Sequence, residues 1–314
     1  MSDVNQSDVN EPEVDQPEVK QTVGFVGLGN MGGPMSERLV AAGYPVVGFD
    51  LAPAARERLA AAGGSAAETA GDVVSQSDVV ILMLPNSDIV ESVLTGPDGV
   101  LAGARPGTLF VDMSSSEPLR TRALAEVVDA AGSRLIDAPV SGGVKGAVAG
   151  TLTIMVGGAE EDLARALGVL EVLGKPALIG GIGAGHALKA INNLMSAAHL
   201  WVTSEAMLTG IEFGLDPNVM LEAINTSSGR SGSTQLKWPN FIVGETYDSG
   251  FGLSLMLKDM KIATGLAESL GVPHTLSDKA VEHWSAASGD LGPAADHTEV
   301  ARWLRERENE GTGK

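Results

Sequence analysis

Cysteine is absent from the 314 residues, which excludes a disulfide framework, a thiolate metal cluster and a thiol nucleophile. Aromatic residues are scarce, with six Phe, four Trp and two Tyr. A chain rich instead in Ala, Gly and Val has the profile of closely packed α/β and helical layers, not of a β-sandwich. The five histidines (His186, His199, His274, His283 and His297) show neither HExxH nor HxH spacing, so no catalytic metal is expected. Cations are outnumbered: Lys plus Arg total 21 against 40 Asp plus Glu, a formal net charge of −19. That balance argues against nucleic acid or an anionic membrane as partner and favours solubility. No apolar run reaches the ~18 residues of a membrane span, because His199 and Glu205 interrupt the most apolar stretch. The N-terminus lacks the basic-then-apolar order of a signal peptide, and a soluble, cytoplasmic protein is expected.

The length suffices for two domains with their own cores. Residues 2–21 read SDVNQ, SDVNE, PEVDQ and PEVKQ, four loose copies of a polar, acidic unit. One valine per copy cannot offset the entropy of ordering the chain, and residues 1–21 are expected to be a disordered tail. Folding begins at Thr22. TVGFVG reads as a buried strand and runs into GLGNMG, where Gly27, Gly29 and Gly32 satisfy G-x-G-x-x-G around Leu28, Asn30 and Met31. A helical segment over 34–42 and a second strand, PVVGFD, follow, ending in Asp50. Strand, glycine turn, helix, strand and terminal acid in register predict a dinucleotide site. Gly27 permits the tight turn, Gly29 the approach of a pyrophosphate, and Gly32 the packing of helix on strand. Asp50 then selects the cofactor. Its carboxylate accepts from a ribose hydroxyl and repels a 2′-phosphate, and Leu51, Ala52 and Pro53 add no cation. NAD is expected over NADP.

The alternation continues through strands at 78–85, 108–113, 134–140, 151–158 and 176–180, with helices near 117–131 and 160–173. It predicts a largely parallel, doubly wound Rossmann-type domain over 22–182, with ligands outside the carboxyl ends of its strands. From Gly183 the pattern changes. An all-helical C-terminal domain is expected over 183–308, entered by a long interdomain helix at 183–213, with 309–314 a second tail. That helix is apolar on nearly every face and so is expected to be buried. It carries one cation, Lys189, with no carboxylate three or four residues away. From the helix alone, Lys189 either snorkels to water or serves chemistry.

Four stretches align with one family: GFVGLGNMGGPM (24–35), DAPVSGGVKGA (137–147), GAGHALKAINN (183–193) and LMLKDMKIA (255–263). The sequence resembles the β-hydroxyacid dehydrogenases, the group including 3-hydroxyisobutyrate dehydrogenase and tartronate semialdehyde reductase. The resemblance implies reversible oxidation of a hydroxyl β to a carboxylate, and a helical domain that completes the site and mediates oligomerisation. It implies Lys189 as catalytic residue and Asn193 as the residue orienting the substrate. It gives Ser141, Gly142 and Gly143 to the substrate carboxylate, Leu84, Pro85 and Ser115 to the cofactor, and Lys258 to the neighbourhood of the nicotinamide. Phe251 and Asp259 match pocket residues. The chain departs from the family at Ile89, where relatives carry a cofactor-binding asparagine.

Chemistry agrees with these positions. The hydroxyl proton must be accepted as hydride leaves, and a lysine with an ordinary pKa of ~10.4 is a poor base near neutrality. Burial, a helix N-terminus and the second cation Lys258 would all disfavour its charged form. The expected substrate is a small 3-hydroxy carboxylate. A reductase of imines or carboxylate-free aldehydes and a non-catalytic dinucleotide-binding protein stay as alternatives. The segments 225–235 and 238–252 are expected to line the pocket, and Arg230 either binds a second anion or is a surface arginine. The apolar long helix needs more cover than its own domain offers, so a homodimer or homotetramer is expected.

Overall fold

The computed structural model describes residues 20–312, with side chains through residue 307; residues 1–19 and 313–314 of the expected tails lie outside the described residues. The end of the N-terminal segment is held against the fold. Lys20 Nζ donates to the Ala42 carbonyl at 2.6 Å and lies over the Tyr44 ring, and Gln21 donates to Arg165 O.

The first half alternates strands and helices: β1 (Val23–Val26), α1 (Gly32–Ala41), β2 (Val46–Phe49), α2 (Pro53–Ala61), β3 (Ser65–Ala66), α3 (Ala70–Gln76), β4 (Val79–Leu82) and α4 (Ser87–Thr95). It continues with β5 (Leu109–Asp112), α5 (Pro118–Ala130), β6 (Arg134–Asp137), β7 (Val140–Ser141), α6 (Gly143–Ala149), β8 (Leu152–Gly157), α7 (Glu160–Leu173) and β9 (Gly174–Gly180). The strands form one sheet in the order β3-β2-β1-β4-β5-β6-β8-β7, with β9 beside β8. Strands β1 to β6 run parallel. Their runs of buried Val, Ile and Leu are those of strands covered on both faces.

Two departures from the sequence reading fall together. The strand expected over 134–140 breaks at Ala138-Pro139, since proline carries no N–H for a ladder, and resumes as β7. The next strand, β8, then pairs antiparallel to β6 and β7. The intervening α6 has only seven residues, too few for the crossover of a dozen or more that a parallel return requires.

The second half is helical: α8 (Ala184–Glu212), α9 (Pro217–Asn225), a π-helical segment (Ser233–Ile242), α10 (Leu253–Ser269), α11 (Thr275–Leu291) and α12 (Val300–Thr312), which runs on through most of the expected second tail. The four tryptophans, Trp201, Trp238, Trp284 and Trp303, gather in its core. Trp201 stands 6.2 Å from Trp284 and 5.8 Å from Trp303, centroid to centroid. The expectation that α8 is buried all round is not met within one chain. One face packs on α10, α11, α12 and β8, while Ile191, Met195 and Val202 stand 42%, 54% and 58% exposed on another. None of the described helices is long and apolar enough to cross a membrane.

Candidate active site

At the end of β1 the chain must turn sharply and still admit a ligand. Gly27 adopts φ +96°, in the left-handed region, and a side chain there would strike the Met83 carbonyl. A Cβ on Gly32 would sit on the Gly27 carbonyl, whereas one on Gly29 would meet nothing within 4 Å. The turn is therefore closed behind and open in front, where Asn30 is exposed and Leu28 is buried. No side chain caps α1 at Met31; Gly33 N is taken by Gly29 O and Pro34 has no N–H, so it is the Gly32 N–H that the helix start leaves to an anion. These features fit the pyrophosphate of a dinucleotide.

Asp50 lies beside this turn. Its carboxylate accepts from Leu28 N at 2.7 Å and Ala52 N at 2.8 Å. A cation overlooked in the sequence reaches the glycine turn: Arg58 Nη2 donates to Leu28 O at 2.8 Å while its Nε pairs with Glu37. Arg56 instead lies over the Phe49 ring. Leu84 and Pro85 follow β4, and Leu84 N donates to Ser114 Oγ at 2.9 Å, joining the chain just past the ends of β4 and β5. Ile89 is partly exposed in the first turn of α4, its N–H bonded to the capping side chain of Asn86.

The helical half closes on this edge through Lys258, on α10. Its Nζ donates to Pro85 O at 2.8 Å and Ser115 O at 3.0 Å, bridging both strand ends. Burial lowers the Lys258 pKa, opposed by Asp259 and Asp112. Lys189 is buried on α8, and its pKa is lowered chiefly by desolvation and further by Lys258, against the pull of Asp259. The carboxylate that the helix sequence could not supply thus comes from α10. Asn193, one turn beyond Lys189, donates to Asp259 Oδ2 at 2.6 Å. Asp259 Oδ1 has no hydrogen-bond partner, and burial raises the carboxyl pKa against the two lysines. Lys189, Asn193, Lys258 and Asp259 form one cluster. Ser141 ends β7, and Gly142 and Gly143 follow at φ +130° and +61°. This backbone excludes most other residues, and a Cβ on Gly143 would meet nothing. Phe251 packs edge-on to His297 at 5.7 Å, just before α10.

The sequence reading missed the device that anchors α8. Asp137, fully buried at the end of β6, accepts from Gly183 N at 2.6 Å and His186 N at 2.7 Å. His186 then bonds Thr121 Oγ1 and the Ser114 carbonyl. One histidine, a turn before Lys189, ties the lysine helix to the strand end beside Ser115. Only the position of Asp137 within a family-like stretch hinted at it.

The glycine turn at the carboxyl end of a central parallel strand and the relatives that follow place the chain among the nicotinamide dinucleotide-dependent dehydrogenases acting on CH–OH groups. Residues 22–183 match the family described as the NAD binding domain of 6-phosphogluconate dehydrogenase. Residues 183–304 match the family described as the NAD-binding of NADP-dependent 3-hydroxyisobutyrate dehydrogenase. The chain is 41% identical over 261 residues to 2-(hydroxymethyl)glutarate dehydrogenase of Eubacterium barkeri, covering 83% of this chain and 87% of that protein. It is 37% identical over 296 residues to the mitochondrial 3-hydroxyisobutyrate dehydrogenase of Bos taurus, covering 92% and 88%. Among solved structures, Mycobacterium tuberculosis 3-hydroxyisobutyrate dehydrogenase with L-serine superposes with a TM-score of 0.86 at 36% identity, over 91% of this chain and 99% of that one. The chain belongs to the β-hydroxyacid dehydrogenase family.

Proposed function

We propose that the protein interconverts a small 3-hydroxyacid and its semialdehyde or 3-oxoacid, with NAD as cofactor and Lys189 as general acid and base. The observation that carries the reading is the buried Lys189, whose charge is disfavoured beside Lys258 and tempered by Asp259. The substrates named for the three relatives share a hydroxymethyl group on the carbon bearing a carboxylate.

Ser141, Gly142 and Gly143 bind the substrate carboxylate through the hydroxyl and backbone N–H groups. Asn193, braced by Asp259, orients the reacting hydroxyl. Neutral Lys189 takes the hydroxyl proton as the carbonyl forms, and its ammonium returns a proton in the reverse direction. NAD, which the Gly27–Gly32 turn and Asp50 would hold, would supply the hydride acceptor for this oxidation. Phe251 walls the pocket, and Lys258 holds the ends of β4 and β5 together at its edge. The test is a spectrophotometric screen of 3-hydroxyisobutyrate, glycerate, threonate, 3-hydroxypropionate and serine with NAD. Oxidation of none of them removes this reading.

Asp50 beside the ribose site gives an expected NAD preference of at least about tenfold in kcat/KM, or ~1.4 kcal/mol. Equal efficiency with NADP would show that Arg58, not Asp50, governs that edge. The exposed stripe of Ile191, Met195 and Val202 on α8 supports assembly through the helical half, as a dimer or tetramer. Light scattering at micromolar concentration is expected to give at least twice the chain mass, and a stable, active monomer would refute it.

A further inference from the structure

A second lysine, partly buried, packs against the same helix face further along. Lys189, Asn193 and Ser196 fall at i, i+4 and i+7 of α8 and so share one stripe. At 1.5 Å per residue, Ser196 is about 10 Å along the axis from Lys189. That direction leads away from the sheet, since the N-terminus of α8 is the end bonded to Asp137 and, through His186, to Ser114. Lys237, from the π-helical segment, places its Nζ 2.7 Å from Ser196 Oγ and 3.5 Å from Ser196 O. The sequence reading had assigned the stretches on either side of this residue to the pocket and passed over the lysine itself. Arg230, the cation it singled out, lies exposed.

The surroundings of Lys237 do not neutralise it. An ammonium has three donors, and the hydrogen bonds Lys237 makes go to neutral Ser196 alone. Asp296 acts on it only through space. That carboxylate is already taken up by the Ser249 hydroxyl, the N–H groups of Gly250, Phe251 and Thr298, and the Thr298 hydroxyl. His297, the other titratable group here, is held near a pKa of about 4 by burial and by Lys237, so it stays neutral at neutral pH. Its Nδ1 faces the Phe251 carbonyl at 3.1 Å, while Nε2 is buried with no hydrogen-bond partner. Burial brings Lys237 down to about 8, which leaves it mostly protonated at pH 7. A partly desolvated cation with no counter-ion in contact costs stability as structure alone. Its carrier is a ten-residue π-helical stretch, a conformation rare in structural roles and frequent at functional sites.

We infer that Lys237 and Ser196 form a distal anion subsite, so that the substrate is a 3-hydroxyacid bearing a second acidic group on its α-substituent. This rests on the proposed function, with the first carboxylate at Ser141 to Gly143 and the reacting hydroxyl at Lys189. The second acid supplies the counter-charge that the protein withholds from Lys237.

The test compares 3-hydroxyisobutyrate with analogues in which its methyl is replaced by carboxymethyl or carboxyethyl. Wild type is expected to favour one of the diacids by at least about tenfold in kcat/KM, the scale of one charge-assisted bond. Lys237→Met is expected to cut that ratio at least about tenfold. In wild type the ratio falls between pH 7 and 9.5 as Lys237 loses its proton; both carboxylates stay ionised, and Lys189 affects all the compounds alike. Should the Met variant not fold, the wild-type pH series and competitive inhibition by glutarate against butyrate decide the matter. No diacid preference, or a ratio insensitive to both pH and substitution, overturns the subsite while leaving the dehydrogenase reading intact. No oxidation of any of the compounds overturns both.

Discussion

Lys189→Ala is expected to lower turnover by about 10²–10⁴, the range for losing general acid–base catalysis, with NAD affinity by fluorescence titration nearly unchanged. The glycine turn, Asp50 and the Leu84-Pro85 edge contain no contact with its side chain. Lys189→Arg should rescue little, because a guanidinium remains protonated at any working pH. The pH profile carries the same information. Burial and Lys258 lower the Lys189 pKa, so oxidation should rise with pH through an apparent value below the ordinary ~10.4. The sign for stability follows from the same shift. Above its lowered native pKa the unfolded chain binds a proton that the folded chain does not, so this group makes stability rise with pH up to ~10.4. Lys189→Met, which removes the charge and keeps the apolar stem, should therefore melt no lower than wild type near neutrality. An alanine variant that oxidises its best substrate within about threefold of wild type would return Lys189 to structure and point to Lys258 as the proton acceptor.

What could be read in advance was local. The glycine turn, Asp50 and the lysine helix declare themselves because each requirement is met by residues close in sequence: a left-handed glycine after a strand, an acid ending the next strand, one cation in an apolar helix. What could not be read depends on distant pairings. Asp259 meets Asn193 across 66 residues, so the bracing of the site was invisible while its members were nameable one by one. The reversal of β8 was hidden because an apolar run has no direction, and only the shortness of α6 dictates it. Lys237 was passed over for a different reason. Its π-helical setting shifts the register in which it meets α8, so a 3.6-residue reading does not place it. The open face of α8 marks another limit, since an apolar stripe looks the same in sequence whether its cover comes from this chain or from a second copy.

Asp137→Ala should produce the largest loss of stability, although the residue touches no group assigned to the reaction. The carboxylate is fully buried and accepts two N–H groups of the first turn of α8, at 2.6 Å and 2.7 Å. It is a helix cap donated by a strand 46 residues earlier. Burial pushes its pKa upward, while His186 and the two N–H donors work to keep it ionised. Local packing leaves no replacement. A side chain on Gly157 or Gly185 would strike this carboxylate and the backbone around it, so the glycines make the space that Asp137 fills. Alanine would orphan two buried donors at about 1–3 kcal/mol each, for an expected loss of ~3 kcal/mol. At this chain length that lowers Tm by roughly 4–5 °C. Asp137→Asn retains one acceptor and should lose about half as much. Activity should fall with both variants, because the first turn of α8, which carries His186, loses its tie to the end of β6 and no longer fixes Lys189 relative to Ser114. The two lesions separate cleanly: Lys189→Met loses turnover at an undiminished Tm, whereas Asp137→Ala loses both. An alanine variant at Asp137 that melts within about 2 °C of wild type would show that α8 holds its start without the cap, and that Lys189 is positioned by Asp259 and Lys258 alone.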